Sequence, residues 1–297
     1  MKCKRLGFTL IELLTVLAIV AMLTGLLIPS LTFIRNTAKE AKQKAQLTTI
    51  DMALIAFRTD YGDYPPSYLM LPPSSPGAPG PMDYCGAQKL AEALLGRDLM
   101  GFHPKSTWSA TDPTFYPPSP IPAQNLDERR GSYLELGTED AFKLGDLFGP
   151  ALSATTPPLE ANTFVICDSF GVKKITLAPG KTVVAGSPIL YYRADPTKKQ
   201  FMGAGAIVPG SLDIYNFTDN FPLIQVADSA DGTPPGDHPL ATFGGTYFYN
   251  QQYKIVDQKI LSATGRPWPH RPDSYILISA GVDGRYGTAD DICNFGN

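Results

Sequence analysis

Gly7-Phe8-Thr9-Leu10-Ile11-Glu12-Leu13-Leu14 decides how this chain is read, because it ends a short basic leader and begins an apolar run with one carboxylate inside it. From Leu13 to Ile34, 22 consecutive positions carry no charge. As a helix rising ~1.5 Å per residue, that run spans a hydrocarbon layer of ~30 Å. Lys2, Lys4 and Arg5 look like the charged head of a secretory signal, yet no small-residue cleavage site follows the run. It passes instead through Pro29 and Leu31 into Arg35-Asn36-Thr37-Ala38. An uncleaved signal anchor is the plain alternative. Glu12 argues for more, because an acid at the centre of a span costs roughly 2.5–3.5 kcal/mol and so points to a function and a partner, here an amine.

The pattern KxxxxGFTLIELLxVLAIVAML, residues 2–23, resembles the leader of type IV pilins and of type II secretion pseudopilins. The resemblance implies cleavage after Gly7 by a prepilin peptidase and N-methylation of Phe8. Cutting ahead of the apolar run keeps the span in the mature protein and sets a cationic α-amine one helical turn from Glu12, on the same face. A carboxylate is favoured at a helix N-terminus, and opposite charges attract strongly in a low dielectric. In the family, Glu12 of one subunit would neutralise the Phe8 amine of the next and set filament register. Pro29 sits where such proteins often carry a proline, which implies helix loss on assembly; a tolerated kink is the structural alternative.

The resemblance also implies partners and place. The partners are other pseudopilins in a homopolymer, an inner-membrane secretion assembly platform and its ATPase. The place is a single pass of the bacterial inner membrane, with the head in the periplasm. Charge alone leaves orientation open, since Arg35, Lys39, Lys42 and Lys44 follow the span as Lys2, Lys4 and Arg5 precede it. Removing those three from 25 basic residues against 28 acidic ones leaves −6.

Four segments follow: a leader 1–7, a long helix 8–62 with its span at about 8–34, a Pro/Gly-rich insertion 63–160 and a head 161–297. Ala38, Ala41, Ala45, Leu47, Ile50, Leu54 and Phe57 keep helical spacing and predict a stripe facing the head. Tyr61-Gly62-Asp63-Tyr64-Pro65-Pro66 ends the helix, and residues 65–81 hold seven prolines. Short helices are expected at 87–99 and at 139–148, the second capped by Thr138. Strands are expected at 162–167, 173–177, 182–185, 189–193, 245–250 and 274–279. The fold class is α+β and pilin-like, a long N-terminal helix packed on a C-terminal antiparallel β-sheet head with Pro-rich insertions. Asp168-Ser169-Phe170-Gly171 and Pro188-Ile189-Leu190-Tyr191-Tyr192 resemble two halves of a turn and strand of the major pseudopilin. About sixteen residues separate them, an expected hairpin around Pro179-Gly180.

Residues 279–292 pack Asp283, Asp290 and Asp291 into a glycine-rich loop after an expected strand. Hard cations take such oxygens, and calcium takes six to eight at about 2.3–2.6 Å. The spacing is not that of an EF-hand. It resembles the calcium loop of the major pseudopilin, which implies ligation by Asp283, Asp290 and Asp291, with the backbone carbonyls of Ala280 and Ser279 as candidates. An acidic solvated turn is the alternative. Asp228-Ser229-Ala230-Asp231-Gly232 reads as a plain turn. After the leader the chain keeps Cys85, Cys167 and Cys293, which allow one disulfide in an oxidising compartment, pairing open.

No catalytic site is expected. His103, His238 and His270 stand alone and read as surface or turn histidines, and Gly180-Lys181-Thr182 lacks the first glycine of a P-loop. A net charge of −3 provides no broad basic surface for nucleic acid. The expected function is a structural, pseudopilin-like subunit of a type II secretion periplasmic pseudopilus. A type IV pilus subunit, or a pilin-like anchor presenting a binding or enzymatic head, are the alternatives.

Overall fold

The computed structural model describes residues 9–69, 84–118, 120–135, 141–154, 158–177, 180–201, 213–230 and 237–296. The first helix, α1, runs Leu10–Tyr61 as one element through Pro29. Thr9 starts it in extended conformation, and Gly62 ends it at φ 83°, its N–H donating to the Arg58 carbonyl at 2.7 Å. Glycine suits that left-handed cap because it has no Cβ to clash there.

The helix has two unlike halves. Every described side chain from Leu10 to Lys42 is exposed, while Leu47, Ile50, Leu54 and Phe57 are buried. Ala38, Ala41 and Ala45, expected on the head-facing stripe, are exposed instead, so the head-facing stripe begins at Gln43. Among the described residues no helix is long and apolar enough to cross a membrane.

Next come α2 (Gly86–Leu95), α3 (Ala123–Asp127), β1 (Ala141–Lys143), α4 (Leu144–Phe148), β2 (Phe164–Ile166), β3 (Lys173–Leu177), β4 (Lys181–Ala185) and β5 (Leu190–Arg193). Then follow α5 (Phe221–Ala230), α6 (Pro239–Phe248), α7 (Gln258–Thr264), β6 (Tyr275–Ser279) and β7 (Ile292–Cys293). The strands form three small antiparallel sheets, β1-β2, β3-β4 and β5-β6-β7, rather than one. The β3-β4 hairpin stands where the sequence placed it. At its base the two resembling halves meet through an antiparallel bridge between Cys167 and Pro188.

The β5-β6-β7 sheet is buried on both faces. Tyr191, Tyr275 and Leu277 pack with Leu47, Ile50, Leu54 and Phe57 of α1 and Leu90 and Leu94 of α2. Leu190, Tyr192, Ile276 and Ile278 face a second cluster with Leu223, Ile224 and Phe248 of α5 and α6. Alternate side chains point to opposite faces of a strand, so the apolar run Tyr275–Ser279 is what a sheet covered on both sides requires. All of α2 is buried, and its polar members are partnered: Gln88 accepts from the Cys85 N–H at 2.7 Å, and Glu92 accepts from Tyr84 Oη and Ser106 Oγ. Thus α2, expected inside an insertion, is part of the core.

Several local expectations are corrected. Residues 245–250 are not a strand: Gly245 to Phe248 belong to α6, whose Pro239 opens the first turn and whose Phe248 side chain is fully buried. Residues 141–143 are a strand ahead of α4 rather than the middle of a helix, and Thr138 lies outside the described residues. Asp228 lies in α5, not in a turn. Cys85, Cys167 and Cys293 are buried free thiols. His103 and His238 are buried at 2% and 1% exposure rather than on the surface.

Candidate functional site

Two places carry the candidate residues. At the amino end, Gly7 and Phe8 lie outside the described residues, and Pro29 is described only as part of the α1 backbone. Glu12 is described fully. Its Oε2 accepts from the Thr9 N–H at 2.9 Å and the Thr9 hydroxyl at 2.7 Å, and the Glu12 N–H donates to Thr9 Oγ1 at 3.3 Å. This reciprocal box satisfies two of the donors that a helix N-terminus leaves open. The signal was in the sequence as Thr-x-x-Glu, and reading Glu12 only as an acid within a span passed over it. Beyond the box, the described large apolar side chains from Leu13 to Ile34 stand 43–73% exposed.

At the carboxyl end, the loop between β6 and β7 brings two of the three acids together. The Asp283 N–H donates to Asp290 Oδ2 at 2.9 Å, and the Thr288 hydroxyl donates to Asp290 Oδ1. Gly281, at φ 72°, lies against Asp290 so closely that a Cβ there would overlap the Asp290 carbonyl oxygen. Burial and the neighbouring Asp290 charge push the Asp283 carboxyl up. Burial also works to raise Asp290, but the Thr288 hydroxyl and backbone N–H groups outweigh it and hold Asp290 low. Asp291 is turned away: its Oδ2 accepts from Tyr253 Oη at 2.9 Å and the Gly287 N–H at 2.9 Å. Its Oδ1 is buried, with no hydrogen-bond partner among the described residues. Among the described residues no group of three or more His, Cys, Asp or Glu side chains is placed to hold a metal. Ser279 and Ala280 are fully buried at the loop entrance, and the Ser279 hydroxyl donates to Asp168 Oδ2 at 2.9 Å.

Asp168 joins this end of the loop to α1. Its Oδ1 accepts from the Phe170 and Ser187 N–H groups, each at 3.2 Å. The turn it shapes is held by α1, through Lys39 Nζ to the Phe170 carbonyl at 2.7 Å and Gln46 Nε2 to the Cys167 carbonyl at 2.9 Å. The Ser169 N–H donates to Gln43 Oε1 at 2.8 Å. One turn further along α1, Asp51 accepts from Arg271, Tyr275 and Asn294. No motif marked Asp51, because its partners lie more than 200 residues away in sequence.

Residues 2–28 match the model of the prokaryotic N-terminal methylation motif. The chain thus carries a pilin-like N-terminal signal, on the residues that form the leader, the box at Thr9 and the first part of α1. No curated protein and no solved structure matches the chain.

The buried carboxyls set a pH dependence. Burial lifts Asp168 to about 7, Asp291 to about 7 and Asp219 to about 6, each partly opposed by hydrogen bonds. An unfolded aspartate titrates near ~3.9, so between there and ~7 the folded chain binds more protons than the unfolded one. Stability therefore falls as pH rises through that window, by up to ~1.4 kcal/mol per pH unit for each group still titrating. Denaturant melts should show a more stable protein near pH ~5 than near pH ~7.5. Asp168→Asn, whose Oδ1 keeps the two N–H contacts while its Nδ2 donates to the Ser279 hydroxyl oxygen, should remove part of the slope. Stability that rises across the window contradicts the assignment.

Proposed function

We propose that the chain is a structural subunit of the pseudopilin kind, cut after Gly7, methylated at Phe8, held in a membrane by α1 and polymerised through that helix. The supporting observation is the methylation motif continuing directly into a helix stretch, up to Ile34, whose described large apolar side chains are exposed. Exposed apolar surface on this scale calls for a lipid or protein cover. The proposed setting is the type II secretion pseudopilus, with prepilin peptidase, an inner-membrane platform and its ATPase as partners and the head in the periplasm. In this reading the chain is not an enzyme.

The role of Glu12 has a clean test, because glutamine at this position preserves a capping box and removes only the charge. Glu12→Gln is expected to leave the helix and membrane retention intact while abolishing sedimentable polymers. Polymers at wild-type yield would reduce Glu12 to a cap.

We propose further that Asp283 and Asp290 hold a structural calcium ion, with the Ser279 and Ala280 carbonyls as further oxygen donors and Asp291 supporting the loop from behind. The adjacency of two carboxylates in a glycine-shaped turn supports this, since a cation would offset the Asp290 repulsion that adds to burial in raising Asp283. A ion bound only by the folded state raises its stability. Roughly millimolar calcium should raise the melting temperature, and chelator or Asp290→Ala should remove the rise. No shift at that concentration would leave the loop as a solvated turn.

A further inference from the structure

The sheet runs β5-β6-β7, so β5 and β7 are its two edges. An edge strand presents N–H and carbonyl groups with which another extended backbone can pair. At the β5 edge three such groups are met within the chain. The Ile189 N–H donates to the Ile166 carbonyl at 2.8 Å, the Tyr191 carbonyl accepts from Asn220 Nδ2 at 2.7 Å, and the Arg193 N–H donates to Ser67 Oγ at 2.9 Å. The β7 edge differs. Ile278 stands opposite Cys293 and Ser279 opposite Ile292, and the Asn294 N–H donates to the Leu277 carbonyl at 3.4 Å. Bonded and non-bonded pairs alternate along an antiparallel ladder, so Cys293 turns both its N–H and its carbonyl away from β6. No described residue is hydrogen-bonded to either group. Cys293 is 6% exposed, and backbone groups left unpaired so close to the core cost free energy.

Along this edge lies a groove of 1180 Å³, lined by β7, by Glu40 and Lys44 of α1, and by Lys254, Val256 and Lys259. Ile292 packs in the cluster that holds α1, while Cys293 packs in the one that holds Tyr253 and Val256, so the two walls flank opposite faces of the strand. We infer that an extended, acidic segment of another protein pairs with β7 in this groove as a fourth strand of the sheet. An extended backbone carries what the edge lacks, an acceptor for the Cys293 N–H and a donor for its carbonyl. The acidic character follows from the charges. Lys44, Lys254 and Lys259 are exposed, and none is in an ion pair with a described residue. Of the acids lining the groove, Asp257 caps α7, Asp290 accepts from the Asp283 N–H and Asp291 from Tyr253 Oη, which leaves Glu40 alone against three lysines. Successive side chains of the added strand would point to opposite walls. The inference does not depend on polymerisation through the apolar stretch of α1, which ends at Ile34, ahead of the groove.

Hydrogen exchange of the full chain in detergent, read over residues 289–296, tests this with a capped octapeptide of alternating valine and glutamate. At about 1 mM the peptide is expected to slow exchange there several-fold. A valine–lysine peptide is expected to have no effect. The same holds for a valine–glutamate peptide with every amide N-methylated, which keeps the side chains but cannot donate to β7. Lys44→Glu together with Lys259→Glu, both at exposed positions, should weaken the protection several-fold without changing the thermal unfolding of the chain. No slowing with the glutamate peptide would overturn the inference. Equal protection by the N-methylated peptide would overturn strand pairing, and equal protection by the lysine peptide, or of the doubly substituted chain, would overturn the acidic partner. Slowing that needs no peptide and grows with protein concentration would overturn the assignment to another protein.

Discussion

Asp51→Ala should cost about 2–4 kcal/mol of stability, because it leaves three donating side chains without their acceptor. Asp51 receives Arg271 Nη1 at 3.3 Å and Nη2 at 3.1 Å, Tyr275 Oη at 2.8 Å and Asn294 Nδ2 at 2.8 Å. Those partners lie before β6, in β6 and just after β7, so one carboxylate of α1 ties the start and end of the central sheet to the helix. Arg271 also holds φ at 51°, a conformation that side-chain-bearing residues seldom adopt and that this contact helps to maintain. Denaturant unfolding of Asp51→Ala, Arg271→Ala and the double variant measures the coupling. Clearly sub-additive losses are expected. A loss under ~0.5 kcal/mol for Asp51→Ala would reduce the contact to ordinary surface chemistry.

Phe57→Ala should cost about 3–5 kcal/mol, the usual range for emptying a buried aromatic site. Phe57 is 2% exposed, and its ring centroid lies 4.7 Å from that of Tyr61, 5.0 Å from Phe102, 5.8 Å from Tyr133 and 6.5 Å from Trp108. Phe102, Trp108 and Tyr133 belong to the stretch after α2, so this one side chain fastens that stretch to α1. Besides the fall in stability, limited proteolysis between residues 101 and 134 should quicken. Phe57→Leu, which keeps most of the volume, should lose far less. Equal losses for the two variants would mean that aromatic packing is not what holds the segment.

The long helix, its glycine stop, the hairpin at β3-β4 and the strands β5 and β6 were legible because each has a local cause. Apolar spacing, a left-handed cap and short β-branched or aromatic runs act over a few residues. The miss at 245–250 came from the same rule, since Thr246-Tyr247-Phe248-Tyr249 reads as a strand by composition. There Pro239 at the helix start and the burial of Phe248 against α5 override it, and β-propensity is largely a statement about such surroundings. Ala38, Ala41 and Ala45 keep helical spacing but stand on another face of α1, because spacing alone does not say which face packs, and the head takes the one through Leu47 and Ile50. At the site, the glycine-rich loop and its acids were visible, but the turning of Asp291 toward Tyr253 depends on residues far away in sequence. The Asp168 and Asp51 connections between α1 and the head were hidden for the same reason.

The central claim is that this chain is matured at its amino end into a membrane-held, self-associating helix. Mass analysis of the amino-terminal peptide from protein expressed with a prepilin peptidase tests it most directly. The account predicts a chain that begins at Phe8 and carries one added methyl group on its α-amine. A chain that still begins at Met1, or one cut after the apolar run, would contradict it.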